Sequence, residues 1–304
     1  MNIPINLFCS FVIPRKKIII NIYNYFSSLK TEKIIFYVHS NYVAEFKKYS
    51  KLKRILISYL IKKVYPKTNK VIFVSNSQRN DFITYFRVDG TNFETIYNGI
   101  DIKKTIAQGC EELSDTEKKY FSEFSMIHVG RLAKVKNPLL TLDLFKRLQR
   151  IRQDVKLIYL GDGPLKSELE KKINQYNLEE KVHILDFSQN PFKYIKQSNL
   201  LILNSSNEGA SNVLVESIIL QTTVVSLDIK YGPNEILALG KKKETPLNES
   251  DFGKILEPGV LNFDVDSKQY FQWLDNYVSQ INEILESDNY FKSNELHDKF
   301  KNTF

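Results

Sequence analysis

Residues 125–137 read SMIHVGRLAKVKN. An apolar run ends at Gly130, Arg131 and Lys136 are among the bases that follow, and apolar residues then recur at helical spacing over 137–150. A strand that hands over to a helix through a glycine turn is the building unit of a parallel α/β sheet. The same hand-over repeats downstream. Strands are expected over 156–160, 182–186, 200–203 and 223–227, and helices over 164–176, 190–197, 212–220 and 267–286. Upstream, strands are expected over 6–12, 34–38, 70–75 and 93–97, with helices over 17–28, 44–65 and 76–86. The runs are apolar without alternation, as for parallel strands covered on both faces. The fold class is α/β, with two doubly wound, Rossmann-like domains.

At about 150 residues per domain, 304 residues suit two domains. Residues 103–123 are polar and lack a strong apolar stripe, so the boundary is expected there. That gives an N-terminal domain over 1–105, a second over 106–286 and a charged tail over 287–304. The 42% hydrophobic and 26% charged fractions suit a globular enzyme and exclude a disordered chain. There are 11 glycines and none precedes Gly90. A glycine-rich phosphate loop in the first 89 residues is therefore excluded. Cys9 and Cys110 are too few for a disulfide framework or a cysteine zinc site, which points to a reducing compartment.

Charge is unevenly placed. Residues 1–70 hold 14 Lys and Arg against two acids, while the remainder holds 29 against 33. An anionic partner is one reading of the basic end; a lysine-rich codon bias is the other. No run of 18 apolar residues is present, so no transmembrane helix is expected. No base precedes the apolar opening MNIPINLFCSFVIP, which reads as a buried strand and not a signal peptide. Over 44–65, Phe46, Tyr49, Leu52, Leu56, Tyr59, Leu60 and Lys63 fall near one helical stripe, with Lys47, Lys48, Lys51, Arg54 and Lys62 mostly elsewhere. This is either a basic amphipathic helix for a membrane surface or a helix packed on the sheet with solvated lysines.

Ligands of doubly wound sheets bind at the carboxyl ends of the strands. After 125–129, Arg131 and Lys136 next to a helix start near Asn137 form a candidate diphosphate clamp. After 156–160, Gly161 and Gly163 permit close backbone approach, and Pro164 suits a first helical turn. After 200–203, Glu208 and Glu216 bracket Gly209, Ala210, Ser211 and Asn212. The small residues open a helix whose free N–H groups suit an anion. Glu216 lies near the mouth, where its carboxylate can accept bonds from a diol such as ribose.

YVHS (37–40), VSNSQRNDF (74–82), IYNGID (96–101), VGRLAKVKN (129–137), YLGDGPL (159–165), EGASNVLVE (208–216) and GPNEIL (232–237) occur in this order. With these pieces the chain resembles the retaining glycosyltransferases of family 4, over about two-thirds of its length. The resemblance implies the GT-B fold, two Rossmann-like domains facing a cleft. It implies transfer of a sugar from a nucleotide diphosphate sugar, a UDP-sugar first, to a hydroxyl with retention. Arg131 and Lys136 match the pair that holds the donor diphosphate. Glu208 matches the acid facing the transferred sugar, and Glu216 the acid on the ribose. Gly209, Ala210, Ser211 and Asn212 match the backbone beside the phosphate, and Gly161 and Gly163 match the nucleotide side. His39 matches a histidine near the reacting centre. No metal and no cofactor besides the donor are implied.

The resemblance also implies an acceptor that is a glycan or a lipid-linked glycan. It implies a role in bacterial surface polysaccharide assembly (capsule, lipopolysaccharide or O-antigen) in the cytoplasm, peripheral to the inner membrane. The basic first domain fits an anionic membrane surface; nucleic acid is not expected as a partner. Two departures stand out. ILDFSQN places Asp186, Phe187 and Ser188 where the family carries a glycine beside the base. The first domain also falls short of the family's, by two or three βα units, so it is expected to be incomplete. An inactive nucleotide-sugar-binding protein or a gene remnant is the alternative that this shortness suggests.

Overall fold

The computed structural model describes residues 7–9, 33–39, 42–209, 211–229, 231–237, 249–250, 253–256 and 267–286. The expected helix over 17–28, the tail over 287–304 and Ala210 lie outside the described residues. The chain divides into two units. One contains the residues up to Asn98 with Glu208, Gly209, Tyr231 and Gly232; the other contains the rest.

The first unit holds β1 (Leu7–Cys9), β2 (Lys33–Val38), β3 (Lys70–Phe73) and β4 (Phe93–Thr95), side by side in chain order and all parallel. Its described strands are not covered equally on both faces. Ile34, Phe36 and Val38 are buried while Ile35 and Tyr37 are half-buried. The buried face packs an aromatic core of Phe36, Tyr65, Phe73, Phe82, Phe86 and Phe93. Helix α3 (Asn76–Phe86) closes it, capped by Ser75 Oγ, which accepts from Gln78 N at 3.2 Å.

The single helix expected over 44–65 is two: α1 (Tyr42–Lys47) and α2 (Lys51–Val64). Ser50 is extended between them, with ψ 156, and its carbonyl accepts the first α2 bond from Arg54 N at 2.9 Å. Serine suits an N-cap better than a helix interior. The break resets the helical phase. Phe46 of α1 is buried against Phe86, whereas α2 turns Ile57, Ile61 and Val64 inward. Leu52, Leu56 and Tyr59, placed with Phe46 on one stripe by the sequence, face outward.

The second unit holds β5 (Phe124–Val129), β6 (Val155–Leu160), β7 (Val182–Leu185), β8 (Leu200–Leu203), β9 (Thr223–Leu227), β10 (Glu249–Ser250) and β11 (Gly253–Leu256). Their order is β10-β11-β9-β8-β5-β6-β7, parallel except for the β10–β11 pair. The sequence reading did not find β10 and β11, which are too short to show a period.

The unit's helices are α4 (Ile102–Gly109), α5 (Asp115–Lys118), α6 (Pro138–Leu148), α7 (Lys166–Gln175), α8 (Phe192–Gln197), α9 (Asn212–Ile219), α10 (Pro233–Leu237) and α11 (Lys268–Glu286). Residues 103–123 are therefore not a linker, and the division falls after Asn98, ahead of the expected boundary at 105. The side chain of Asp101 caps α4, Thr105 and Gly109 are buried, and Ile102 and Ile106 pack against the core. Ile102 and Ile106 stand four apart on one face, but a helix of eight residues is shorter than the stretch over which a helical period is read.

Strand residues alternate between two cores. Met126, Leu157, Tyr159, Leu200, Ile202 and Val225 join α6 and α11 on one face. Ile127, Ile158, Leu160, Leu201, Leu203 and Val224 join α8 and α9 on the other. From β5 the chain runs outward to β6 and β7, then returns to the opposite side of β5 for β8 and β9. The loops after β5 and β8 thus flank the point where winding reverses, the ligand crevice of such sheets.

Candidate functional site

The loop after β5 begins at Gly130, whose φ of 137 an L side chain rarely adopts. A single 3-10 turn, Lys134–Lys136, leads to Asn137 in the left-handed region, and Pro138 opens α6. Lys136 folds back over the strand end: a Cβ at Gly130 would lie 3.5 Å from its Cε. Arg131 is exposed. The loop after β8 is stitched to this one. Asn137 Nδ2 donates to the Asn204 carbonyl at 2.9 Å, and the N–H and hydroxyl of Ser206 donate to the Val135 carbonyl at 2.8 and 3.2 Å. The fold therefore joins the clamp segment to the loop that leads to Glu208.

A pocket of about 810 Å³ opens beside Arg131, between the loops after β5, β6 and β7. Its walls include Gly161, Gly163, Phe187, Ser188 and Pro191. The two glycines are required by backbone packing. A Cβ at Gly161 would lie 2.3 Å from the Gly130 carbonyl oxygen, and one at Gly163 would lie 2.4 Å from that of Leu132. Leu132 N donates to the Asp162 carbonyl at 2.9 Å, and Leu165 N to the Leu132 carbonyl at 2.9 Å. The close approach read from the sequence as serving a ligand is taken up first by a neighbouring loop. Phe187 stands 77% exposed on the rim.

On the other side, Ser211 is the N-cap of α9 and makes no side-chain cap bond. The hydroxyls of Ser205 and Ser211 are buried without a partner. Asn212 is exposed at the helix start, and the Leu214 N–H of the first turn donates to the Ser211 carbonyl at 3.0 Å. Glu216 is half-buried, with no counter-charge among the described residues, and burial pushes its carboxyl up to about 7. Glu208 and Gly209 are half-buried in the loop between β8 and α9. His39 follows β2, exposed, with its ring stacked on Tyr37 at 4.2 Å.

A buried polar chain behind the site was not read from the sequence. Tyr277 OH donates to Asn204 Oδ1 at 2.6 Å, and Asn204 Nδ2 donates to Thr141 Oγ1 at 3.0 Å. Thr141 Oγ1 lies 3.2 Å from His128 Nδ1, while His128 Nε2 has no partner. Burial, with the charge of Lys136 added, lowers His128 to about 3, so it is neutral at physiological pH. The only trace in the sequence is a histidine inside an apolar strand, SMIHV.

Among the described residues no group of three His, Cys, Asp or Glu is placed to hold a metal ion. No described helix is long and apolar enough to cross a membrane.

Residues 111–246 match the model of glycosyl transferases group 1, and residues 20–104 match that of Glycosyltransferase Family 4. A glycosyltransferase of Methanocaldococcus jannaschii is 33% identical over 209 residues, covering 67% of this chain and 50% of its own length. An N-acetylgalactosamine-N,N'-diacetylbacillosaminyl-diphospho-undecaprenol 4-alpha-N-acetylgalactosaminyltransferase of Campylobacter jejuni is 34% identical over 199 residues, covering 66% of this chain and 49% of its own. The chain thus spans about half the length of these relatives. The Anabaena protein HepE, crystallised with UDP and glucose, shares the fold with a TM-score of 0.70 at 18% identity, covering 98% of this chain and 74% of that one.

Proposed function

We propose, for a chain that belongs to the glycosyltransferases of the GT-B fold, that it moves a sugar with retention from a UDP-sugar to a lipid-linked glycan of a bacterial surface polysaccharide. Relatives of the chain are glycosyltransferases of lipid-linked glycan and capsular polysaccharide synthesis. The observation that carries the donor reading is the stitched pair of loops at the winding reversal, with Arg131 and Lys136 on one and the unpartnered Ser211 hydroxyl at the start of α9 on the other.

In this reading the donor diphosphate lies between Arg131, Lys136 and the first turn of α9. These groups stabilise the charge that grows on the leaving UDP, a role a metal ion plays in other transferases. The backbone of Gly209, Ser211 and Asn212 faces the phosphates, and the unpartnered Ser211 hydroxyl supports an anion there. Glu216 accepts from the ribose hydroxyls. The base lies in the pocket of Gly161 and Gly163 against Phe187, in place of the family's glycine. Glu208 faces the transferred sugar, and His39 bonds a sugar hydroxyl or the leaving phosphate.

A thermal-shift screen of nucleotide diphosphate sugars tests this directly. UDP-sugars should stabilise the wild type, with and without a chelator, and Glu216→Ala should abolish the shift. No shift with any nucleotide would refute the donor site. Binding without turnover would instead make the chain a nucleotide-sugar-binding protein.

A further inference from the structure

We propose that the outer face of α2 is a docking surface for an anionic lipid bilayer. Helix α2 has two apolar faces nearly opposite one another. Ile57, Ile61 and Val64 enter the core of the first unit. Leu52, Ile55, Leu56 and Tyr59, at spacings of three, four and seven, are 81%, 61%, 59% and 58% exposed. A helix on a globular surface normally presents polar residues there. Four large apolar side chains in one outward stripe mark an interaction surface.

The charge around the stripe identifies the occupant. Helix α2 carries Lys51, Lys53, Arg54, Lys62 and Lys63 and no acid. At 100° per residue, Lys51 and Lys62 lie along one edge of the stripe and Lys53 along the other. Lys63 lies within it, its Nζ 5.8 Å from the centre of the Tyr59 ring. A shallow groove of about 560 Å³ joins Ile55 and Tyr59 to Tyr85 of α3, edged by Lys51, Arg54 and Lys62. An apolar stripe with cations on both edges fits a helix lying in the headgroup plane, apolar side down and lysines reaching up to lipid phosphates. A second copy is a poor occupant, because a two-fold pairing of this face sets bases against bases.

For its purpose the inference rests on the lipid-linked acceptor proposed above, but it can be tested separately. The full chain is sedimented with vesicles of phosphatidylcholine plus phosphatidylglycerol, and with vesicles of phosphatidylcholine alone. The wild type should partition to the anionic vesicles, at least about tenfold less to the neutral ones, and less as salt rises. The triple change Leu52→Ser, Leu56→Ser and Tyr59→Ser should lower partitioning by about tenfold or more. The pair Lys51→Glu and Lys62→Glu should do so on anionic vesicles without touching the apolar stripe. The UDP thermal shift should persist in every variant, which shows that each is folded.

Failure of the wild type to sediment with anionic vesicles overturns the proposal, as does full binding by both variants. Concentration-dependent self-association that the same changes remove would assign the face to a second copy instead. Vesicle binding without a UDP shift would sink the donor reading and leave the docking surface standing.

Discussion

The Tyr277 hydroxyl donates to Asn204 Oδ1 at 2.6 Å, tying α11 to the residue that follows β8. Asn204 also accepts from Asn137 on its backbone carbonyl and donates from its side chain to Thr141, so one buried residue ties the end of β8 to the loop after β5 and to both α6 and α11. Tyr277→Phe leaves an amide oxygen buried without a donor. The expected cost is about 1–3 kcal/mol of stability, read from denaturant unfolding with and without UDP. If Asn204 positions the donor loops, KM for the donor should rise more than kcat falls. A purely structural role would lower stability and leave KM unchanged.

Glu216 predicts a pH dependence with opposite signs for stability and for binding. Burial raises its carboxyl from 4.5 to about 7. A folded value above the unfolded one means the folded state binds the extra proton. Stability contributed by the neutral form is present below about 4.5, declines between 4.5 and about 7, and is gone above. Donor affinity should instead rise through about 7, since the ionised carboxylate accepts both ribose hydroxyls. Glu216→Gln should flatten both profiles and add about 1–3 kcal/mol of stability near pH 8. Calorimetric titration of UDP across this window, with UDP's own ionisation cancelled by the variant, checks the binding half.

The glycine pair predicts where a single methyl group is costly. A Cβ at Gly163 would lie 2.4 Å from Leu132 O and 2.7 Å from its C and N, all backbone. Gly163→Ala must push the loops after β5 and β6 apart, at a cost of about 1–3 kcal/mol. It should also weaken UDP binding, because both loops line the pocket. A thermal melt with unchanged midpoint and unchanged UDP shift would contradict this.

Arg131 and Lys136 should separate chemistry from folding. Arg131 is exposed, so Arg131→Ala should leave the melting temperature nearly unchanged while lowering kcat by about a hundredfold. Lys136→Ala should lower kcat as well. It should also raise the pKa of His128, since the lysine charge is one of the two causes that depress it. Proton NMR titration of the imidazole reads that change without reference to turnover.

The order of elements and the site loops were legible because each rests on local chemistry. The strand over 200–203 reads as a continuous apolar run because β8 is buried on both faces. Ser75 ahead of Asn76 is a recognisable cap. Helix α4 and the β10–β11 pair escaped notice because they are shorter than the stretch over which a period can be read. His128 and Asn204 escaped because nothing local marks either as a partner of Thr141, which lies 13 residues from one and 63 from the other.

By itself, then, the sequence determined the alternation of strand and helix, the two-unit organisation and the loop residues placed at strand ends. Backbone preference and apolar period act over a few residues, so they are written in the chain. Tertiary structure alone decided which way α2 turns its second apolar face, what the glycines of the 161–163 turn touch, and that Glu216 is desolvated. Each of these depends on which distant segment packs against the residue. Burial is a property of that meeting, and no stretch of sequence contains both sides of it.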